Sequence, residues 1–407
     1  MSRGPAFDVV VAGASIAGCA AARLFALAGA RVALVEQRPD PAAFKVACTH
    51  QIQSSAVPAI ERLGLAPLLE KAGAARSRAA GWSPYGGWLR FPPDAPTGYG
   101  ITRRRLDPML RQLAAETPGV ELLAGQRVVG LLGGSHRIGG VACEGTDRRR
   151  LDIRARLTVA ADGRDSTIAR LARVPAHVRP NNRFVYFAYW EGLRSPRTEA
   201  RLWLLDPDAG AQFPNEDGVS VIAAVAHKAR LAEFRADPET AYRRAVGALP
   251  DGPDLGGANL VSKLIGKFEM PNKMRPAARP GLAFVGDAAL ATDPLFGVGC
   301  GWAFQSAEWL VEETSTPLLD RGDLDSGLER YRRAFQRRLG PHHMQICDYS
   351  TGRPMRANER LAFRAAARNP AVGAAMEEVV TRRGSIARLL DPRLNLRLLR
   401  EALRWKW

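Results

Sequence analysis

Residues 7–18 read Phe-Asp-Val-Val-Val-Ala-Gly-Ala-Ser-Ile-Ala-Gly, and Glu36 closes a second apolar run at 32–35. An apolar strand that runs into a tight glycine turn, with a helix opening behind it, is the start of a β-α-β unit. Gly13, Ser15 and Gly18 occupy the three marked places of G-x-G-x-x-G. Such a turn aims backbone N–H groups and the positive end of the helix at a pyrophosphate. Glu36 lies 18 residues past Gly18, where a carboxylate accepts hydrogen bonds from a ribose 2′-OH and disfavours a 2′-phosphate. Serine at the middle place costs some backbone approach but supplies a hydroxyl donor. Dinucleotide binding is the reading; an ordinary strand–turn–helix is the alternative.

The chain of 407 residues is long enough for two domains, or for one with a large insertion. Its 46% hydrophobic and 24% charged content is that of a soluble globular protein. No apolar run approaches the ~20 residues that span a bilayer, and no secretory signal stands ahead of the first strand, so a cytoplasmic location is expected. Cys19, Cys48, Cys143, Cys300 and Cys347 are odd in number and widely spaced, which fits reduced thiols. The net charge of +17 comes from 58 basic residues, of which seven are lysine. Abundant Arg, Ala, Gly and Pro are the mark of GC-rich coding, and no basic stretch interleaved with aromatics appears, so nucleic acid is not an expected partner. A basic surface for an acidic carrier protein, or for anionic lipid, is the other reading of the charge.

Helical spacing covers 55–75 and 106–116, and 81–100 reads as short strands and turns. Residues 120–132 and 151–161 look like strands of one sheet. The stretch 183–268 turns to β, with a helix at 229–248, and 282–286 is a buried strand followed by a glycine-rich loop and a helix at 301–314. The expected division is a discontinuous nucleotide-binding domain of 1–75, 101–178 and 271–320, a β-sheet substrate domain of 76–100 and 179–270, and a helical region of 321–407.

Two further motifs accompany the glycine turn. Val-Ala-Ala-Asp-Gly-Arg-Asp-Ser at 159–166 brings Asp162 and Gly163 to a turn before a helix; alone it is a capped helix start. Phe-Val-Gly-Asp-Ala-Ala at 284–289 leads to Asp293-Pro294-Leu-Phe-Gly-Val-Gly-Cys-Gly-Trp, ending at Trp302. Its aspartate suits a chain of hydroxyls, its glycines allow backbone close to a flat ligand, and the helix behind presents its positive end. In this order the three motifs resemble the flavoprotein superfamily of aromatic-hydroxylase type, which includes class A FAD monooxygenases, geranylgeranyl reductases and flavin-dependent halogenases. The resemblance covers roughly residues 7–315.

It implies an α/β fold: a Rossmann-like FAD-binding domain of the glutathione-reductase type, with an inserted β-sheet and C-terminal helices. It implies that Gly13, Ser15 and Gly18, with Ala14, Ile16 and Ala17 between them, hold the pyrophosphate. Glu36, followed by Gln37 and Arg38, would hold the adenosine ribose. Arg103 would stand near the phosphates, Val128 by the adenine, and Asp162 and Gly163 on the pyrophosphate side. Asp287 would take the ribityl chain, and Pro294, Gly297, Val298, Gly299, Cys300 and Gly301 the isoalloxazine. The activity implied first is monooxygenation of a small organic substrate, aromatic or polycyclic, through a C4a-hydroperoxyflavin, as in secondary metabolism such as antibiotic biosynthesis. Electrons would come from NADH or NADPH bound transiently, or from a partner reductase.

The alternative is reduction or dehydrogenation at a carbon–carbon double bond. Asp293-Pro294 favours it, as does Lys45-Val-Ala-Cys48, which resembles the reductases' Lys-x-Cys segment with one extra residue. The halogenases' Trp-x-Trp-x-Ile-Pro motif is absent. His50 is a candidate proton donor or substrate hydrogen-bonder, and Pro294 and Cys300 are the other catalytic candidates. Tyr186, Tyr189, Trp190, Trp203 and Phe213 are candidates to line a substrate pocket; packing of the sheet is the alternative for each. His342-His343 lacks a carboxylate at ligand spacing, so no metal site is expected. The tail 385–407 alternates arginine and leucine at helical spacing and ends in Trp405 and Trp407. It is read as a helix packed on the body, with a membrane surface as the alternative.

Overall fold

Phe7–Ala12 carries no polar residue after Asp8, and Val9, Val10 and Val11 are fully buried. A strand apolar on both faces belongs in the middle of a parallel sheet, and that is where it lies in the computed structural model, which describes residues 7–134 and 136–403. The parallel strands run in the spatial order Leu282–Phe284, Arg150–Ala160, Phe7–Ala12, Val32–Glu36, Val120–Ala124. Helix Ile16–Leu27 packs on one face through the small residues Ala20, Ala21 and Ala22, which bring it close to the strands. The other face is covered by an antiparallel meander of Gln126–Gly133, Ile138–Gly145 and the first half of Arg150–Ala160. Val10, Ala33 and Val35 bury there against Val141, Cys143 and Ile153. The apolar run at 128–132 therefore belongs to the meander and not to the parallel sheet.

A second sheet of ten strands stands over the carboxyl ends of the first. Its backbone is Arg183–Glu191, Ser220–His227, Ala209–Pro214 and Glu199–Leu204, antiparallel in turn, with Glu199–Leu204 parallel to Ala75–Ser83. Ala75–Ser83 is a nine-residue strand where only short pieces were expected. The residues it buries are Ser77, Gly81 and Ser83, so it has no apolar alternation to betray it. Gln51–Ile52 and Gly98–Gly100 extend the same sheet.

The helix expected at 229–248 is two helices, Leu231–Ala236 and Pro238–Gly247. Pro238 cannot continue a helix, and the Asp237 side chain caps the second one at Thr240 N–H, 3.1 Å away. The helix expected at 301–314 runs longer, as Gly299–Leu319, and packs on Ile16–Leu27. Leu324–Ser350, Ala357–Arg368, Pro370–Val380 and Pro392–Leu403 complete the chain. The last of these packs on the two helices before it, with Leu394 buried and Leu396 half exposed. Trp405 and Trp407 lie outside the described residues. Among the described residues, no helix is long and apolar enough to cross a membrane.

Candidate functional site

Where the carboxyl ends of the parallel strands meet the second sheet there is a cavity of about 880 Å³, inside the roughly 300–1,000 Å³ typical of ligand and cofactor sites. Its floor is the first turn. Gly13 has φ +105°, and a Cβ there would stand 2.5 Å from the Ala161 carbonyl oxygen. A Cβ on Gly18 would lie 1.7 Å from the Gly13 carbonyl oxygen. Gly18 is not on the cavity wall; it keeps the helix tight against the turn. Ala14, Ser15, Ile16 and Ala17 line the cavity at the helix N-terminus, and no acidic side chain occupies that first turn. Glu36 is buried and holds the turn: its Oε2 accepts from Ala14 N–H at 2.9 Å, and its Oε1 from Arg38 N–H at 3.0 Å. Gln37 and Arg38 continue the same wall, and Val128 also lines the cavity.

Helix Arg103–Ala115 aims three buried charges inward at a four-residue spacing. Arg103 forms an ion pair with Asp107 (2.6 Å) and donates to the Ser15 hydroxyl, and its third nitrogen lies 3.8 Å from Cys48 Sγ. Asp107 also accepts from Lys45 N–H at 3.0 Å. Arg111 donates to the carbonyls of Ala14 and Ala43. Asp107 and Arg111 were missed from sequence, although their spacing from Arg103 on an expected helix was a usable sign of one buried face.

Asp162 spends its carboxylate on the next helix, accepting from the Ser166 hydroxyl at 2.6 Å and Ile168 N–H at 3.0 Å. Gly163, φ +86°, opens onto the cavity with no atom within 4 Å of where a Cβ would stand. Asp287 meets Lys45 Nζ at 2.8 Å across the cavity. Burial would raise its carboxyl, but the charge of Lys45 outweighs it and holds Asp287 below the usual range. Asp293, fully buried, is paired with Arg183 at 2.8 Å and accepts from Asn181 and Leu295 N–H. That network fixes the loop bearing Pro294, Gly297, Val298, Gly299 and Cys300, all on the wall. Gly301 is not; it sits inside the helix against Ala56.

The upper wall corrects several expectations. Tyr186, Trp190 and Trp203 lie on the far face of the second sheet, in a separate core with Phe234 and Tyr242. Trp190 Nε1 donates to the Tyr242 hydroxyl and Trp203 Nε1 to the Pro250 carbonyl. The residues of Arg183–Glu191 that face the cavity are of the other parity, Val185 and Phe187, joined by Ala223. Aromatics occupy both parities of 184–190, so alternation could not choose the face. Phe213 lines a second cavity of about 50 Å³ beyond Gly297. His50 is buried behind the wall, not on it. Its Nδ1 accepts from Arg103 N–H at 2.8 Å, which leaves Nε2 as the donor to the Tyr189 hydroxyl at 2.6 Å. His50 thus positions Arg103 and Tyr189 and has no free proton for a substrate in the cavity.

Cys48 and Cys300, 252 residues apart, face each other on the wall with Sγ atoms 3.5 Å apart. Contact with Cys300 pulls the Cys48 thiol well below its ordinary range against the effect of burial, helped by the His50 side chain and by Arg103, and the His50 backbone N–H also donates to Cys48 Sγ at 3.3 Å. Contact with Cys48 and burial push Cys300 well up.

Residues 6–338 match the family model described as FAD binding domain. The chain belongs to this family. It is 29% identical over 345 residues to digeranylgeranylglycerophospholipid reductase 2 of Methanopyrus kandleri, covering 82% of this chain and 83% of that one. It is 28% identical over 372 residues to the menaquinone reductase of Mycolicibacterium smegmatis, covering 83% and 86%. Among solved structures, a flavin-dependent brominase superposes with a TM-score of 0.79 at 15% identity, covering 98% of this chain and 100% of that one. A geranylgeranyl bacteriochlorophyll reductase-like protein from Thermoplasma acidophilum gives 0.70 at 18%, covering 97% and 99%. These show the aromatic-hydroxylase type of fold, and with the family match the protein is an FAD-dependent oxidoreductase.

The cavity suits FAD on its own evidence. The Gly13 turn leaves no room for a side chain, the helix N-terminus behind it is free of acid, and the buried indole N–H of Trp302, on the wall, has no protein acceptor. The residues that would hold FAD are the 13–17 turn, Glu36, Arg103, Gly163, Asp287 and the 294–300 loop. Bound there, FAD supplies hydride or electron transfer.

Proposed function

We propose that the protein reduces carbon–carbon double bonds in the isoprenoid chain of a lipid or quinone. The observation that carries the reading is the position of Lys45 and Cys48. The segment that resembles the reductases' Lys-x-Cys stands in the cavity wall, with Lys45 on Asp287 and Cys48 against the glycine loop at Cys300. The reductases matched over four-fifths of the chain support it.

In this reading Val185, Phe187, Ala223 and Leu290 form the dry surface on which an apolar chain lies. Hydride addition to one alkene carbon requires a proton for the other. The Cys48–Cys300 pair, with its sulfurs 3.5 Å apart on the cavity wall, is placed to supply it. Arg103, fixed by Asp107 and by the His50 ring through its N–H, stands 3.8 Å from Cys48 Sγ and favours negative charge there. Reduced nicotinamide or a partner reductase supplies the electrons.

Monooxygenation is the second reading, favoured by the same water-excluding wall. Product mass separates them. Reduced holoenzyme incubated without oxygen with a geranylgeranyl lipid should yield product heavier by two hydrogens per turnover. A product that forms only with oxygen and gains an oxygen atom would replace the reductase reading with the second.

A further inference from the structure

We propose that Cys48 and Cys300 are a redox-active pair that closes to a disulfide across the FAD site when hydrogen peroxide is formed there. The inference needs the FAD site but not the choice of substrate.

The geometry is specific to this pair. The two sulfurs stand 3.5 Å apart on one cavity wall, and a bond requires closure to about 2.05 Å. Cys48 lies in a stretch without helix or strand, which can follow a side-chain rotation; Cys300 is the second residue of Gly299–Leu319. Cys48 is reached through the cavity and has the Arg103 guanidinium and the His50 N–H beside it, the electropositive setting of a reactive thiolate. The other three cysteines contrast with it. Burial raises Cys19, and it pushes Cys143 and Cys347 up to about 11. None of the three is on the cavity wall.

The oxidant is the peroxide that reduced flavin and dioxygen generate when no organic substrate takes the electrons. Cys48 thiolate attacks the peroxide: an S–O bond forms, the O–O bond breaks, and the departing hydroxide takes up a proton as water. Cys300 then attacks that sulfur: the S–S bond forms, the S–O bond breaks, and the second hydroxide leaves with the Cys300 proton. Two thiols and one peroxide become one disulfide and two waters; the thiols lose the two electrons that peroxide gains. A dithiol reverses the change by exchange. The disulfide would tie residue 48 to the glycine loop and remove the proton that Cys300 carries, so a protein leaking electrons to oxygen would stop itself until reduced.

The test treats purified holoenzyme with one equivalent of hydrogen peroxide, blocks remaining thiols with an alkylating agent under denaturing conditions, and maps the peptides without reduction. The expected result is a cross-linked peptide joining residues 48 and 300, reversed by dithiothreitol, with Cys19, Cys143 and Cys347 alkylated. In C300S, Cys48 should instead accumulate as sulfenic or sulfinic acid, and in C48S, Cys300 should stay alkylatable. Wild type in which both cysteines are alkylated, or in which Cys48 stops at an oxyacid without the cross-link, overturns the proposal. These readouts are independent of product mass, so failure here leaves the reductase reading standing.

Discussion

Gly13→Ala should weaken FAD binding far more than Gly163→Ala, although both glycines face the cavity with positive φ. At Gly13 the new Cβ would stand 2.5 Å from the Ala161 carbonyl oxygen and 2.9 Å from its carbonyl carbon, where ordinary contact begins at 3.4 Å. Both are backbone atoms of the adjoining strand segment, so the turn must open by about 0.9 Å rather than a side chain rotating away. Displacement of that size breaks one or two N–H bonds to a phosphate, each worth about 1.5–3 kcal/mol when charge-assisted. At 1.4 kcal/mol per decade, the Kd for FAD should rise between about 10-fold and 10⁴-fold. At Gly163 nothing lies within 4 Å of the added carbon, so only conformational strain of about 1–2 kcal/mol arises, borne by folding stability, and Kd should stay within about 5-fold. Deflavinated protein titrated with FAD, followed by flavin fluorescence, reads both variants, with circular dichroism as the check on folding. A folded Gly13→Ala protein whose Kd lies within 3-fold of wild type (about 0.6 kcal/mol) would refute the assignment of this turn to the pyrophosphate.

Asp287→Ala should weaken FAD by about 10- to 100-fold, since it removes an acceptor and leaves Lys45 unpaired in the cavity; unchanged affinity in the same titration would take Asp287 out of the site. Asp293→Ala should lower unfolding free energy by about 3–5 kcal/mol, because it strands Arg183 without a partner in the interior; a denaturant midpoint equal to wild type would contradict this. Burial, with Arg382 near His342 and Arg179 near His343, lowers both imidazoles from 6.5 to about 4. They stay neutral in the folded chain while the unfolded chain binds protons, so stability should fall as pH drops from 6.5 towards 4, by up to about 3 kcal/mol for each, and gain nothing from them above 6.5. Replacing either by Gln should reduce that slope in urea titrations; an unchanged slope would show that they do not titrate this way.

The centre of the parallel sheet was readable because residues 9–12, 32–35 and 282–284 are apolar on both faces, and the glycine turn because its spacing is rigid. Asp162 shows the limit of a motif: it stands on the cavity wall as expected, yet its carboxylate is taken up by the Ser166 hydroxyl and the Ile168 N–H of Thr167–Leu171. The choice between Tyr186 and Phe187 was not readable, because it depends on which face the helices Leu231–Ala236 and Pro238–Gly247 cover, and both parities of the strand are aromatic. His50 looked catalytic by residue type, but its Nδ1 is committed to the N–H of Arg103, a partner 53 residues away. Cys48 and Cys300 were each noted separately. Their pairing depends on how the loop after Leu282–Phe284 folds back over the first turn, and local sequence carries no trace of that.

The most direct test of the central claim follows the flavin itself. Holoenzyme is photoreduced without oxygen, and a geranylgeranyl lipid lacking any quinone ring is added. Return of the oxidised flavin absorbance, with saturated lipid formed in step, is the predicted result. Flavin that stays reduced until oxygen is admitted, with the lipid recovered unsaturated, would contradict the account.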